Sequence, residues 1–150
     1  MIKQFGFTLM SPEEFGAWIS AQHVARTVFT IQLHHTYAPS YVNFNGKNHF
    51  SLQRGMQQFH VRSNGWQDIG QHFSIFPDGM IVTGRSLESS PACIYGFNAN
   101  SICIECVGNF DTGGDEMRAE QRDATIRVVA ALCSRFRVPV NSDQVVYHHW

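Results

Sequence analysis

Residues 27–35 read TVFTIQLHH, a β-branched and apolar run that ends in two adjacent histidines. A run of this kind predicts a β-strand, which then carries His34 and His35 at its carboxyl end. Adjacent residues on a strand point to opposite faces of the sheet. Ligands of open α/β sheets usually bind at the carboxyl ends of strands. We therefore start the search for a functional site at these two histidines.

The segments on either side of this strand predict the rest of the fold. Ser11 to Glu14 form a capping box with Pro12 at the first helical position, which indicates a helix. The order helix, strand, helix, hairpin, strand, helix, strand indicates an α/β fold with a mixed central β-sheet flanked by helices. After the opening strand, we predict helices at 51–61 and 118–136 and strands at 70–76, 80–83, 101–107 and 145–147. The expected buried stripe of the longest helix is Ile126, Val129, Ala130, Cys133 and Phe136.

Composition limits the class of protein. The 150 residues fit one domain with its own core. With 11 basic and 12 acidic residues, the net charge of -1 gives no reason to expect a nucleic-acid partner. No apolar stretch is long enough to span a bilayer, and Met1 to Met10 lack the features of a secretory signal. We expect a protein made in the cytoplasm, and we favour a monomer.

A second pair of histidines, His148-His149, follows the last predicted strand. Two pairs at two strand ends could meet at one edge of the sheet, and a catalytic zinc site usually has three protein ligands of the His, Cys, Asp or Glu type. Glu105 is the most informative single residue, because it interrupts an apolar strand. A buried glutamate is rare unless it is paired or coordinates a metal. The alternative is that Glu105 faces solvent or pairs with an arginine.

The four cysteines are Cys93, Cys103, Cys106 and Cys133. Cys103 and Cys106 have CxxC spacing, but residues three apart on a strand point to opposite faces and could not readily hold one ion. We expect all four to be ordinary buried or partly exposed thiols.

These features belong to a longer pattern that resembles the amidase-2 family of N-acetylmuramoyl-L-alanine amidases, whose relatives include the peptidoglycan recognition proteins and several phage endolysins. The resemblance implies a peptidoglycan recognition protein-like amidase fold. It divides the chain into an N-terminal helical extension at 1–27, packed on an amidase catalytic domain at 28–150. The blocks that carry it are Ile31–Thr36, Gly65–Phe73, Pro77–Gly79, Gly84-Arg85, Asn98, Ser101–Glu105, Gly108–Phe110 and His148-His149.

The resemblance also implies a function, which is zinc-dependent hydrolysis of the amide bond between N-acetylmuramic acid and L-alanine in peptidoglycan. His34 and His148 correspond to ligands of Zn²⁺. Glu105 corresponds to the catalytic residue that takes a proton from the attacking water and passes it to the leaving amine. The residues expected to line the substrate site are Trp66, Arg85, Asn98 and His35. For the first three, the alternatives are a core aromatic, a surface charge and a turn former.

The chain departs from the family pattern at two places. Gln71 stands where many relatives have tyrosine, and a glutamine amide can donate a hydrogen bond to an oxyanion but cannot act as a proton donor. We expect Gln71 to assist catalysis in that way. The family's third zinc ligand, a Cys or Asp, lies beyond the second histidine block, and this chain ends two residues after His148. We therefore expect a chain truncated at its C-terminus, with a weakened zinc site.

Two other functions stay open. Some relatives have lost the metal and only bind peptidoglycan, and both Gln71 and the absent third ligand favour such a binding module. A zinc peptidase on a similar sheet is the second alternative. As an amidase or a binding module, the protein has peptidoglycan or a muropeptide as its partner. A chain made in the cytoplasm would reach the cell wall after release or lysis.

Overall fold

The computed structural model describes residues 1–148, where seven strands form one mixed sheet with three α-helices packed on it. The predicted α/β class is confirmed. His149 and Trp150, which the sequence analysis placed at the end of the chain, lie outside the described residues. The elements are β1 (Ile2–Gln4), β2 (Phe7–Met10), α1 (Pro12–Ala21), β3 (Thr30–His35), α2 (His49–Arg62), β4 (Phe73–Ile75), β5 (Ile81–Thr83), β6 (Ser101–Cys106), α3 (Ala119–Phe136) and β7 (Val145–Tyr147), and the strand order is β1-β2-β5-β4-β6-β3-β7.

The centre of the sheet is parallel. Strands β4, β6, β3 and β7 run in one direction, whereas β1, β2 and β5 pair antiparallel with their neighbours. Strand β6 reads SICIEC, and Glu105 is its one residue that is partly exposed. Such a continuous apolar run is typical of a strand covered on both faces. Strand β6 lies inside the sheet, between β4 and β3.

Helices cover both faces of the sheet. On one face, α1 and α3 pack their apolar side chains, among them Phe15 and Leu132, against Ile31, Ile102 and Ile104. On the other face, Phe50 and Met56 of α2 belong to a second cluster with Phe7, Leu9, Ile69, Phe76, Val82 and Val107. His34 and Glu105 lie on this second face, near the carboxyl ends of β3 and β6.

The N-terminal segment contains two strands that the sequence analysis did not predict. The capping box at α1 is confirmed, since the Glu14 N–H donates to Ser11 Oγ and the Ser11 N–H donates to the Glu14 carboxylate. Before it, β1 and β2 form a hairpin across Phe5 and Gly6, whose positive φ angles of 54° and 84° suit a tight turn. Because β2 pairs with β5, the hairpin extends the central sheet.

The predicted buried stripe of α3 is confirmed for Cys133 and wrong for Ile126 and Ala130, which are exposed, whereas Val129 and Phe136 are partly buried and pack against the core. Ile126 is 61% exposed, and the residues that contact the sheet are Gln121, Ala124, Val128, Leu132 and Cys133. The apolar pattern of the sequence did not indicate this buried face of α3, because Gln121 is a polar residue. Its amide nitrogen donates to the carbonyl oxygens of Ile75 and Val107, at 2.8 and 2.9 Å, and so joins α3 to two strands. No helix within residues 1–148 has the length and apolar character needed to cross a bilayer.

Candidate active site

The register of three parallel strands brings the predicted site residues together. His34 of β3 is paired with Glu105 of β6, so their side chains leave the same face of the sheet from neighbouring strands about 4.7–4.9 Å apart. On the other side of β3, Gln32 pairs with Val146 of β7, and the His148 N–H donates to the Leu33 carbonyl oxygen. Three residues from distant parts of the sequence therefore meet at one edge of the sheet.

The two imidazoles of His34 and His148 lie side by side, with ring centroids 4.3 Å apart. His34 is buried, and its Nε2 has no hydrogen-bond partner in the described part of the chain. Burial lowers the pKa of His34 to about 4, and the neighbouring His148 and His35 add to the shift. A neutral ring with a free nitrogen is the form that binds metal ions. The pair can therefore supply two nitrogen ligands to one ion at the usual zinc–nitrogen distance of about 2.0–2.1 Å.

Glu105 lines a cavity of about 230 Å³ between α2 and the loop after β3. It forms no ion pair with any described residue, so the alternative of an arginine partner does not hold there. Burial raises the pKa of its carboxyl to about 7. A carboxyl in this range can both accept and return a proton near neutral pH. The other residues that line the cavity are Thr36, Ala38, Pro39, Gly55, Met56, Phe59 and His60.

His60 is a site residue that the sequence analysis did not select. It lines the same cavity as Glu105, and its Nδ1 accepts a hydrogen bond of 3.0 Å from the Gly70 N–H. In a neutral ring whose Nδ1 accepts, Nε2 must carry the proton and can donate. Burial, with a smaller effect of Arg85, lowers the pKa of His60 and keeps the ring neutral. Its position at the end of α2 was visible in the sequence, but its partner Gly70 was not.

Trp66 lies beside His60, with ring centroids 4.8 Å apart, and is half-buried. The tryptophan packs over Gly70, where an added Cβ would come within 2.8 Å of the indole ring and 2.5 Å of the Ala92 carbonyl oxygen. Gly70 therefore lets the tryptophan and the next loop approach closely. Trp66 thus contacts His60, which is one of the residues that line the cavity.

Gln71 lies in the interior of the protein. The residue is fully buried, and its amide nitrogen donates to Ser74 Oγ at 2.9 Å, with Met56 Sδ 3.8 Å away. The expectation that it stabilises an oxyanion stays a prediction, and the structure places the Gln71 side chain against Met56 of α2 and Ser74.

Arg85, Asn98 and His35, expected to line the substrate site, all form hydrogen bonds with backbone groups. All three nitrogens of the Arg85 guanidinium donate to backbone carbonyl oxygens, those of Ile69, Ser90 and Asp68. Asn98 Oδ1 accepts from the N–H groups of Cys93 and Ile94, which agrees with the turn-former alternative. His35 leaves the opposite face of β3 from His34, and its Nδ1 accepts from the Phe110 N–H.

The expectation of four free thiols is wrong for one pair. Cys93 and Cys103 form a disulfide, whereas Cys106 and Cys133 are free and buried. The sequence analysis missed the bond because the loop after residue 91 folds back onto β6, which no local pattern reveals. Within residues 1–148, one group of three possible metal donors is found, made of His34, Cys93 and Cys103 with ligand atoms within 4.8 Å of one another. Disulfide sulfurs lack the thiolate charge that binds metals.

The donor set fits zinc in part. His34 and His148 offer two nitrogens, and the unpartnered Nε2 of His34 is a position that a cation would satisfy. Catalytic zinc sites usually have three protein ligands. Among the described residues, the other possible donor atoms grouped with His34 are the sulfurs of the Cys93–Cys103 disulfide, which carry no thiolate charge.

Comparison with known proteins identifies a family and several relatives with a similar sequence. The profile of the N-acetylmuramoyl-L-alanine amidase family, Amidase_2, matches residues 24–150. Peptidoglycan-recognition protein LB of Drosophila melanogaster is 34% identical over 106 residues, which cover 69% of this chain and 45% of that protein. The endolysin of Klebsiella phage KP32 is 28% identical over 96 residues, 64% of this chain and 62% of the phage protein.

A solved structure agrees with the sequence comparisons. The crystal structure of peptidoglycan recognition protein-LE in complex with tracheal cytotoxin, a monomeric diaminopimelic acid-type peptidoglycan, superposes with a TM-score of 0.70. The two sequences are 25% identical, and the match covers 83% of this chain and 71% of that one. The fold implied by the sequence resemblance is thereby confirmed.

Proposed function

Since the chain belongs to the N-acetylmuramoyl-L-alanine amidase family, which matches residues 24–150, we propose that it hydrolyses the amide bond between N-acetylmuramic acid and the first L-alanine of peptidoglycan. One observation carries the proposal, namely the register pairing of His34 with Glu105. It sets an imidazole with a free nitrogen beside a carboxyl that titrates near neutral pH. Hydrolysis of an amide needs a cation or donor that polarises the carbonyl group and a base that takes a proton from the attacking water.

His34 and His148 are the residues that would hold Zn²⁺. When bound there, the ion supplies Lewis-acid chemistry, which polarises the scissile carbonyl and lowers the pKa of water. The lowered pKa of His34, about 4, keeps its ring neutral at physiological pH, so protons do not compete for this nitrogen. The two rings lie 4.3 Å apart, centroid to centroid, which is close enough for both to bind one ion.

Glu105 is proposed as the acid–base residue. Its carboxylate takes a proton from the attacking water and returns it to the nitrogen of L-alanine as the amide bond breaks. A pKa near 7 suits both steps, because the group holds neither form strongly at neutral pH. A bound cation would lower this pKa by favouring the carboxylate, so the base would be available from slightly acidic pH upward.

His60 is proposed to orient the substrate. Its Nε2–H faces a cavity that also holds Glu105, since Nδ1 is occupied by the Gly70 N–H. A fixed neutral donor near the base can bind a carbonyl oxygen of the stem peptide. This role takes over part of what the sequence analysis expected of Gln71, which is buried.

A second function is favoured by one observation. The described residues provide two nitrogen ligands where catalytic zinc usually has three, which agrees with a module that binds peptidoglycan without cleaving it. The relative in complex with a monomeric peptidoglycan supports recognition of this class of ligand in either case.

The experiment that tests the amidase proposal measures release of stem peptide from purified peptidoglycan. Protein with added zinc should release peptide, and the same protein treated with a chelator should not. Glu105→Gln should abolish release while its binding to insoluble peptidoglycan is kept. Binding without release by the wild-type protein would support the binding module and exclude the amidase.

A further inference from the structure

The Cys93–Cys103 disulfide lies in the corner that the proposed function assigns to the metal. Its two sulfur atoms and one ring nitrogen of His34 all lie within 4.8 Å of one another. Cys103 is two residues before Glu105 on β6 and pairs with Gln32, so its side chain shares the face of His34. Cys93 comes from the facing loop, which Asn98 closes through two hydrogen bonds. The bond thus ties this loop to the metal corner.

We propose that this disulfide controls metal binding through its redox state. When it is reduced, the thiolates of Cys93 and Cys103 join His34 in binding Zn²⁺. When it is oxidised, the corner offers imidazole nitrogens alone. Two cysteines and one histidine form a donor set that catalytic zinc sites use, and it contains the three ligands that such sites need. The inference rests on the proposed function, since it concerns the same metal corner.

The distances permit this site after a small movement. Zinc–sulfur bonds of about 2.3 Å and zinc–nitrogen bonds of about 2.0–2.1 Å place tetrahedral ligand atoms roughly 3.5–3.8 Å apart. The three donor atoms are already within 4.8 Å. Opening the disulfide frees the two sulfurs to move apart, which makes room for the ion between them.

The two cysteines differ in solvent exposure, which determines the sulfur that a reductant attacks first. Cys103 is fully buried, whereas Cys93 is partly exposed. A dithiol reductant would therefore attack the Cys93 sulfur, with the Cys103 thiolate as the leaving group. The second thiol of the reductant then displaces Cys93 and closes the reductant's own disulfide. Two electrons pass from the dithiol to the protein, and the two protein thiols lose their protons to solvent when they bind the metal.

The remaining cysteines provide matched controls. Cys106 leaves the opposite face of β6, where its sulfur lies 3.4 Å from Thr125 Oγ1 of α3. Cys133 is buried on α3, in the core cluster on that same face. Neither belongs to the group of donors around His34. Substitution at Cys133 therefore changes the number of thiols without changing the proposed site.

The test is a titration with Co²⁺, which reports thiolate ligands through a charge-transfer band in the near ultraviolet. Oxidised protein is compared with protein reduced by a water-soluble phosphine and desalted without oxygen. We expect the band in the reduced protein and its absence in the oxidised one, with metal bound at least about tenfold more tightly after reduction. Cys133→Ser should keep the band. Cys93→Ser should lose most of it, and His34→Ala should weaken the metal affinity of the reduced protein.

A circular dichroism spectrum of each sample shows whether reduction or substitution has unfolded the chain. If Cys93→Ser does not fold, Cys103→Ala takes its place and should also lose the thiolate band. The comparison of oxidised with reduced wild-type protein tests the same point without a substitution. Reduced, folded protein without a thiolate band, or with the affinity of the oxidised form, overturns the inference. Peptidoglycan cleavage is measured separately. If the protein cleaves peptidoglycan but shows no thiolate band after reduction, only the proposed redox control is refuted. If the band is present but neither redox form cleaves peptidoglycan, only the proposed amidase activity is refuted.

Discussion

Substitution of Glu105 by glutamine should change activity and stability in opposite directions. Loss of a general acid–base group lowers the rate by about 10²–10⁴-fold. That factor corresponds to about 3–5 kcal/mol of transition-state stabilisation. The amide keeps the size of the side chain and its place in the cavity, so substrate binding should change little. The rate is measured as peptide released from purified peptidoglycan with added zinc.

The effect on stability follows from the pKa of the carboxyl. Folding raises that pKa from 4.5 to about 7, so the folded state holds the proton more tightly. The stability that this provides is complete below pH 4.5 and is lost as the pH rises through about 7. The full shift corresponds to about 3 kcal/mol, and partial exposure of the side chain reduces it to about 1–3 kcal/mol. Glutamine does not titrate, so the metal-free variant should be more stable than the wild type above neutral pH.

Denaturant unfolding in the presence of a chelator, at about pH 8 and again at about pH 4.5, measures this difference. Glu116→Gln, which removes an exposed carboxyl, is the matched control and should leave both activity and stability unchanged. An active Glu105→Gln protein would remove the residue from the mechanism. A variant that is less stable than the wild type at the higher pH would refute the assignment of a buried, unpaired carboxyl.

Three further changes test other parts of the site. His34→Ala should lower zinc affinity by about tenfold or more, measured by competition with a chelating dye. His60→Phe should lower kcat by about tenfold, since it removes one donor to the substrate, and unchanged kinetics would exclude that role. It should also cost about 1–3 kcal/mol of stability, because the buried Gly70 N–H loses its acceptor. Gly70→Ala should destabilise the fold by about 1–3 kcal/mol in thermal unfolding, because its Cβ would lie 2.5 Å from the Ala92 carbonyl oxygen. The acid limb of kcat/KM should lie at or below about pH 7 and disappear in Glu105→Gln.

The sequence was informative where local patterns match the packing. Strand β3 and its two histidines, the capping box of α1 and the apolar run of β6 were all predicted, because each depends on neighbouring residues. From the sequence, we could expect only that the strands carrying His34 and Glu105 end at the same edge of the sheet. Their register depends on the packing of the whole sheet.

The errors arose where a polar residue is buried or a contact is distant. Gln121 lies on the buried face of α3 and bonds to Ile75 and Val107, so the apolar pattern left it out of the stripe and included the exposed Ile126. Gln71 turns into the core and bonds to Ser74, which residue type alone did not indicate. The disulfide joins Cys93 in a loop to Cys103 in β6, and spacing alone does not distinguish this pair from two free thiols.

The most direct test of the amidase assignment identifies the products formed from a defined muropeptide by zinc-loaded protein. Mass spectrometry should find the intact stem peptide with a free amino group on L-alanine, together with a sugar that carries a free lactyl carboxylate. Shorter peptides from cleavage between amino acids would contradict the assignment and indicate a peptidase. Unchanged muropeptide that nevertheless binds the protein would contradict it as well, and would leave a domain that recognises peptidoglycan without cleaving it.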